Sequence, residues 1–213
     1  KTSKGYVAPD AFNRDSLKPD DYSDIGEAGV LAREFGDKLA YTNATDYLTF
    51  NGKYWKEDKQ LAIGTILEFM DLQLEEASEQ YESAIKQLVQ TGIPESIVRE
   101  GGKGLVKLID SPNQQILLAK YLSAKAYYQF VMKRRDYRYI IATHNTAKPM
   151  LAIDISELDK NDILLNTPDA TYDLKCGLSG SQAHSATDYL TKMTTASPGI
   201  KGIGLWQIGR AHV

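Results

Sequence analysis

Residues 46–57, DYLTFNGKYWKE, followed by residues 58–90, DKQLAIGTILEFMDLQLEEASEQYESAIKQLVQ, carry the two periodicities that decide the fold. In the first stretch, the β-prone runs Asp46–Phe50 and Lys53–Glu57 flank Asn51-Gly52. Asn-Gly favours a two-residue hairpin turn, because both turn positions must take a positive φ. In the second, Leu61, Ile66, Leu67, Met70, Leu74, Ala77, Tyr81, Ile85 and Leu88 recur mostly three or four residues apart. That spacing predicts one long amphipathic helix. A hairpin running into such a helix implies a mixed α+β chain.

Working towards the N-terminus, Asp24 is predicted to cap a helix over about 25–36, with Ile25, Ala28, Leu31, Ala32 and Phe35 on its inner face and Gly36 at its end. Residues 1–23 are polar, with Pro9, Pro19 and Asp20-Asp21, and read as a linker from an upstream domain. Towards the C-terminus, Thr91-Gly92-Ile93-Pro94 breaks the long helix. A helical pattern over 95–109 is weakened by Gly101, Gly102 and Gly104. Ser111-Pro112 opens a helix over 112–135, with Ile116, Ala119, Leu122, Ala126, Phe130 and Val131 predicted inward, and a shorter helix covers 136–147. Ile163–Leu165 and Ala170–Leu174 then read as strands around the turn Asn166-Thr167-Pro168-Asp169. The expected fold is α+β, mostly helical, with two small β-hairpins at about 39–57 and 163–174.

The chain has 213 residues, 42% of them apolar, which excludes a wholly disordered polymer. Lys plus Arg number 25 and Asp plus Glu 28, a net charge of −3. That balance excludes nucleic-acid binding through overall charge and leaves open a local basic face. The single cysteine, Cys176, can form no internal disulfide and fits a reducing compartment. No apolar run is long enough for a membrane span, and no signal peptide is visible. Both ends look cut. The chain starts at Lys1, and the codons ATC GGA AGA GCA CAC GTC, which encode Ile208–Val213, match a sequencing adapter. Residues 207–213 are therefore expected to be adapter read-through, with the gene interrupted near Trp206.

The segment with most chemical promise is 120–148. Lys120, Lys125, Lys133, Arg134, Arg135, Arg138 and Lys148 face only Asp136, a balance of +6, and Tyr121, Tyr127, Tyr128, Tyr137 and Tyr139 are interleaved. Cations of this kind pair with phosphates, and tyrosine faces stack on bases. The same cations near a helix C-terminus also suit the helix dipole without any ligand. Residues 68–100 carry Glu68, Asp71, Glu75, Glu76, Glu79, Glu82, Glu95 and Glu100 against Lys86 and Arg99, a balance of −6, so the two segments could also pair with each other. Glu100–Gly104 lacks the spacing, the preceding strand and the Ser or Thr of a phosphate loop, and reads as a helix break. Gly177–Ser181 falls one residue short of a nucleophile elbow and reads as a turn. His144, Cys176 and His184 are too few and too irregularly spaced for zinc. No complete catalytic constellation is present.

Leu164–Asp169 followed by Tyr172-Asp173-Leu174, and then Asp188–Met193, resemble a signature of the domain that precedes the superfamily 3 helicase in phage and plasmid DNA primases and in poxvirus-type primase-helicases. Asp24-Ile25-Gly26, Arg33–Asp37, the hairpin with Trp55 and the basic run Phe130–Arg135 fit the same pattern, so the resemblance runs from about Tyr22 to Trp206. Two departures are Ala170, where relatives often carry glycine, and a longer 75–110 stretch. The resemblance implies a phage or mobile-element origin and a site of action in the bacterial cytoplasm. It implies an accessory domain over 24–206 between an upstream primase and a downstream ATP-driven, hexameric helicase. ATP and Mg²⁺ would belong to that helicase, and the fragment would hold no cofactor of its own. Lys125, Lys133, Arg134, Arg135 and Arg138 would contact single-stranded or forked DNA, with no membrane involved. The alternative is a non-catalytic interaction or assembly module that never touches DNA, its cue being the acidic 68–82 helix. A small hydrolase lacks any motif.

Overall fold

The computed structural model describes residues 16–198. The linker reading up to residue 15, Trp206 and the 207–213 tail lie outside the described residues. The chain forms two compact units and passes between them after Phe35, after Ala62 and after Met150. The expected α+β class holds: helices dominate the first unit, and two small antiparallel sheets build the second.

The first unit holds α1 (Asp24–Phe35), most of α2 (Lys59–Val89), α3 (Glu95–Glu100), α4 (Gly102–Val106), α5 (Pro112–Arg134) and α6 (Tyr137–Ala147). Each start has a local cause. The cap of α1 is Ser23 rather than Asp24: its Oγ accepts from the Gly26 N–H at 3.0 Å, which frees the Asp24 carboxylate for another partner. Asp58 Oδ1 takes the N–H groups of Gln60 and Leu61, both at 3.1 Å, to start α2. Ser111 and Gln114 form a reciprocal capping box, with Pro112 in the first turn of α5. The glycine-weakened stretch splits into α3 and α4 at Gly101, where φ is +71°. A Cβ there would lie 3.0 Å from both the Tyr121 hydroxyl and Lys125 Nζ, so that break requires glycine twice over.

Two predicted inner faces need correction. On α1, Ile25 is exposed and Glu27 is fully buried instead. On α5, Ile116, Ala119, Leu122 and Ala126 face outward, and Phe130 is half-buried. The buried side carries Gln114, Tyr121, Ala124, Tyr127, Val131 and Arg134. Tyrosine wins because each ring buries a large area while its hydroxyl keeps a polar option: Tyr121 donates to the Val98 carbonyl at 2.8 Å. Residues 16–23 form no helix or strand, yet they are anchored. Leu17 is buried, its N–H donates to Glu76 at 2.7 Å, and Tyr22 stacks on Phe130 with centroids 4.7 Å apart. Beneath α1, Gln73 Nε2 donates to Glu27 at 3.0 Å and to the Leu17 carbonyl at 2.9 Å. Burial pushes the Glu27 carboxyl up to about 7, against the lowering effect of Gln73 and Arg134. Glu27 Oε1 and Gln73 Oε1 are both buried acceptors with no partner. A proton on Glu27 turns its free oxygen into a donor, the group this acceptor-rich pair lacks.

In the second unit, β1 (Leu39–Thr42), β2 (Asp46–Phe50) and β3 (Trp55–Glu57) form one sheet, and β4 (Leu164–Asn166), β5 (Thr171–Asp173) and β6 (Ser181–Gln182) the other, each in sequence order. Both predicted hairpins are present, each extended by a third strand, β1 or β6. The first turn differs from its reading. Phe50 pairs with Trp55, so the loop is the four residues Asn51–Tyr54, and among them only Gly52 has positive φ. The Asn51 side chain closes the loop by accepting from the N–H groups of Lys53 and Tyr54, both at 3.0 Å, in place of a left-handed backbone at two positions. Trp55 is buried against Ala40 and Leu48, its indole N–H donates to the Ala186 carbonyl at 2.8 Å, and its ring stacks on Tyr189. Asn166 is the second unit's clip. Its buried amide donates to the carbonyls of Lys53 (2.9 Å) and Lys192 (3.1 Å), and its own carbonyl accepts from the Thr194 N–H (2.9 Å).

Two outcomes test this packing. Because the folded chain holds the Glu27 proton more tightly than the unfolded chain does, the contribution of Glu27 to stability is fully present below about pH 4.5 and is lost as pH rises through about 7. The fall attributable to Glu27 is on the order of 3 kcal/mol, read as the change in urea midpoint between pH 5 and 8, and Glu27→Gln flattens it. Asn166→Ala removes the buried amide that donates to the Lys53 and Lys192 carbonyls and costs about 2 kcal/mol in the same assay. Asn166→Asp, which has no amide donor, does not restore it.

Candidate nucleic-acid interface

Helix α5 ends in Lys133-Arg134, Arg135-Asp136 makes the corner, and α6 starts at Tyr137. The cations occupy the last turn of α5, where carbonyls without helical partners carry partial negative charge. Asp136 stands at the N-cap of α6 with extended backbone and makes no side-chain cap bond. The corner folds three cations onto one ring: Lys133 Nζ lies 5.4 Å, Arg134 Cζ 4.9 Å and Arg138 Cζ 4.6 Å from the Tyr139 centroid.

These cations are not equivalent. Arg134 is buried, lies 4.8 Å from the Phe130 centroid and pairs with Asp24, the carboxylate that Ser23 capping leaves free. Its charge is used inside the first unit. Arg135 is partly exposed, pairs with Asp71 at 2.6 Å and donates to the Met70 carbonyl at 3.2 Å. This contact pairs the basic segment with the acidic stretch of α2. Lys125 lies about 12 Å back along α5 from Lys133, where its Nζ sits 3.3 Å from the Tyr121 hydroxyl and over that ring. Lys133 and Arg138 are exposed, and among the described residues no carboxylate pairs with either. The structure therefore groups Lys133, Arg134 and Arg138, places Arg135 beside them in an ion pair, and sets Lys125 apart.

The tyrosines divide in the same way. Tyr121 and Tyr127 are fully buried, Tyr128 stacks on Tyr81 with centroids 5.5 Å apart, and Tyr139 lies beneath the cations. Tyr137 is 78% exposed. Sequence reasoning named it as one of five without separating it from the rest. Its position just after an N-cap is the local signal, since the first helical residue has no preceding turn to cover it.

The remaining candidates carry no chemistry. Among the described residues no group of three or more His, Cys, Asp or Glu could hold a metal. Ser179, in the short helical turn Gly177–Gly180, donates to the Cys176 carbonyl at 2.7 Å. No helix of the described residues is long and apolar enough to cross a membrane.

The signature residues that carry the family resemblance are structural. Trp55, Asn166, Tyr189 and Leu190 meet through the bonds described above and through the Trp55 N–H, which donates to the Leu190 carbonyl at 2.8 Å. The Asp159 carboxylate receives the N–H and hydroxyl of Thr191. Thr167 closes the second hairpin by exchanging bonds with Ala170. Ala170 is not among the residues with positive φ, so this turn does not need the glycine that relatives often carry there.

No curated protein and no solved structure matches the chain. A family model described as D5 N terminal like matches residues 28–201, a span that takes in both sheets, every helix from α2 onward and the cationic corner. With the Trp55 hairpin, the Asn166 clip and the Asp188–Met193 segment all inside that span, the chain belongs to the D5 N-terminal-like family, the domain that precedes the superfamily 3 helicase in phage and plasmid primase-helicases.

Proposed function

We propose that this domain contacts DNA through the α5–α6 corner and couples an upstream primase to a downstream ATP-driven helicase. The observation that carries the reading is the pairing of two exposed cations with no carboxylate partner among the described residues, Lys133 and Arg138, with an open aromatic face, Tyr137. Phosphates attract such cations at any sequence, and an exposed ring accepts any unpaired base. Single-stranded or forked DNA suits this combination better than a continuous duplex, whose bases are already stacked. Arg135 adds a third positive group at the cost of its Asp71 contact. Arg134 supports the corner from inside. Lys125 belongs to the same basic helix and would meet DNA only along a longer path.

In this reading the domain has no chemistry of its own. ATP, Mg²⁺ and ring assembly, with six copies in the family pattern, come from the helicase domain, and the work is done in the bacterial cytoplasm. The rival reading is an assembly module that never touches DNA, and one observation favours it: an apolar face on α5 that the described residues leave uncovered.

Fluorescence anisotropy of a labelled single-stranded oligonucleotide tests the reading. The wild-type chain binds with a steep salt dependence. Lys133→Ala with Arg138→Ala lowers the slope of log K against log salt by about 1.4, or about 0.7 per contact. Tyr137→Ala weakens binding about tenfold, within the range for one stacked base, and leaves the slope unchanged. Arg134→Met lowers thermal stability without changing the slope. An unchanged slope in the double variant, or no binding at about 50 mM salt, overturns the reading in favour of the assembly module.

A further inference from the structure

Ile116, Ala119, Leu122 and Ala126 stand three, three and four residues apart along α5, the spacing of a helix-packing seam. The fold turns this seam to solvent: Ile116 is 59% and Leu122 51% exposed, and both alanines are exposed. Beside it α4 presents Val106, 55% exposed. Between the two helices lies a groove of about 420 Å³ lined by Leu105, Val106, Leu118 and Leu122, with Lys103 and Lys107 also on its wall. Scattered apolar side chains on a surface need no explanation, but a periodic row beside an apolar groove does.

We propose that this face of α4 and α5 receives an acidic amphipathic helix from a partner protein. The seam spans 11 residues, a rise of about 15 Å, which matches roughly three turns of a helix laid along it. The charges select the occupant. Lys103 and Lys107 flank the groove, while from Gly102 to Gln129 the only acidic residue is Asp110. A second copy of the same face would set lysine against lysine, an unfavourable juxtaposition. A helix with leucines at i, i+3 or i+4 and i+7, flanked by glutamates, covers the seam and neutralises its edge.

The probe is a fluorescein-labelled helical peptide of leucine and glutamate heptads, titrated into the full chain beside its leucine-lysine counterpart. The leucine-glutamate peptide binds and the lysine version does not. Leu122→Asp weakens binding about tenfold, as expected for loss of one buried leucine contact, with the melting temperature and circular dichroism of the parent. Lys103→Glu with Lys107→Glu, both at exposed positions, reverses the preference to the lysine peptide. Equal binding of the two peptides, or no effect of either variant, overturns the proposal. So does a dimer in sedimentation equilibrium that Leu122→Asp dissolves, which would make a second copy the occupant. Displacement of the peptide by an oligonucleotide overturns it as well, by making the lysine edge a nucleic-acid surface.

Discussion

Helix α5 carries more apolar surface than the described residues cover, and much of the first unit follows from which side it buries. A helix packed against one layer hides only part of its circumference. Here the hidden side is the one with Tyr121, Tyr127 and Val131, backed by Ala77, Ile85 and Leu88 of α2. That choice rotates Arg134 inward, where an unpaired charge would be costly. It finds Asp24, the carboxylate left over when Ser23 caps α1. The same rotation sends Lys133 and Arg138 outward and exposes the Ile116–Leu122 row. The Arg134–Asp24 ion pair, the cationic corner and the exposed seam are three consequences of one orientation.

The second unit solves a different problem. Short strands and irregular loops leave many backbone groups that need partners once water is excluded. Side chains supply them: Asn51 closes one hairpin, Thr167 closes the other, the Trp55 indole reaches Ala186, and Asn166 bonds to chain segments on either side of its own strand. This explains why the residues that mark the family are concentrated here. A family can be recognised by the residues that hold a scaffold together.

The sequence by itself determined the elements. The α+β class, the long α2, the Ser111-Pro112 start of α5, the Gly101 break and both hairpins follow from local rules about period, capping and backbone freedom, and those rules need no knowledge of neighbours. The family was legible for the same reason, because turn residues such as Thr167 act within a few positions. Tertiary structure alone decided orientation. Periodicity in α5 pointed to Ile116 and Leu122 as core because it counts apolar side chains and cannot weigh a tyrosine, whose ring buries a large apolar area and whose hydroxyl, at Tyr121, still finds the Val98 carbonyl. Nor could it foresee that Glu27 would be buried beside Gln73 while Ile25 stayed in water. Charge along the chain marked 120–148 as basic, yet which cations remain free depends on where Asp24 and Asp71 arrive, 110 and 64 residues earlier in the chain. Local propensity is a property of neighbouring residues, whereas partnership and exposure are properties of distant ones, settled only when the chain has closed on itself.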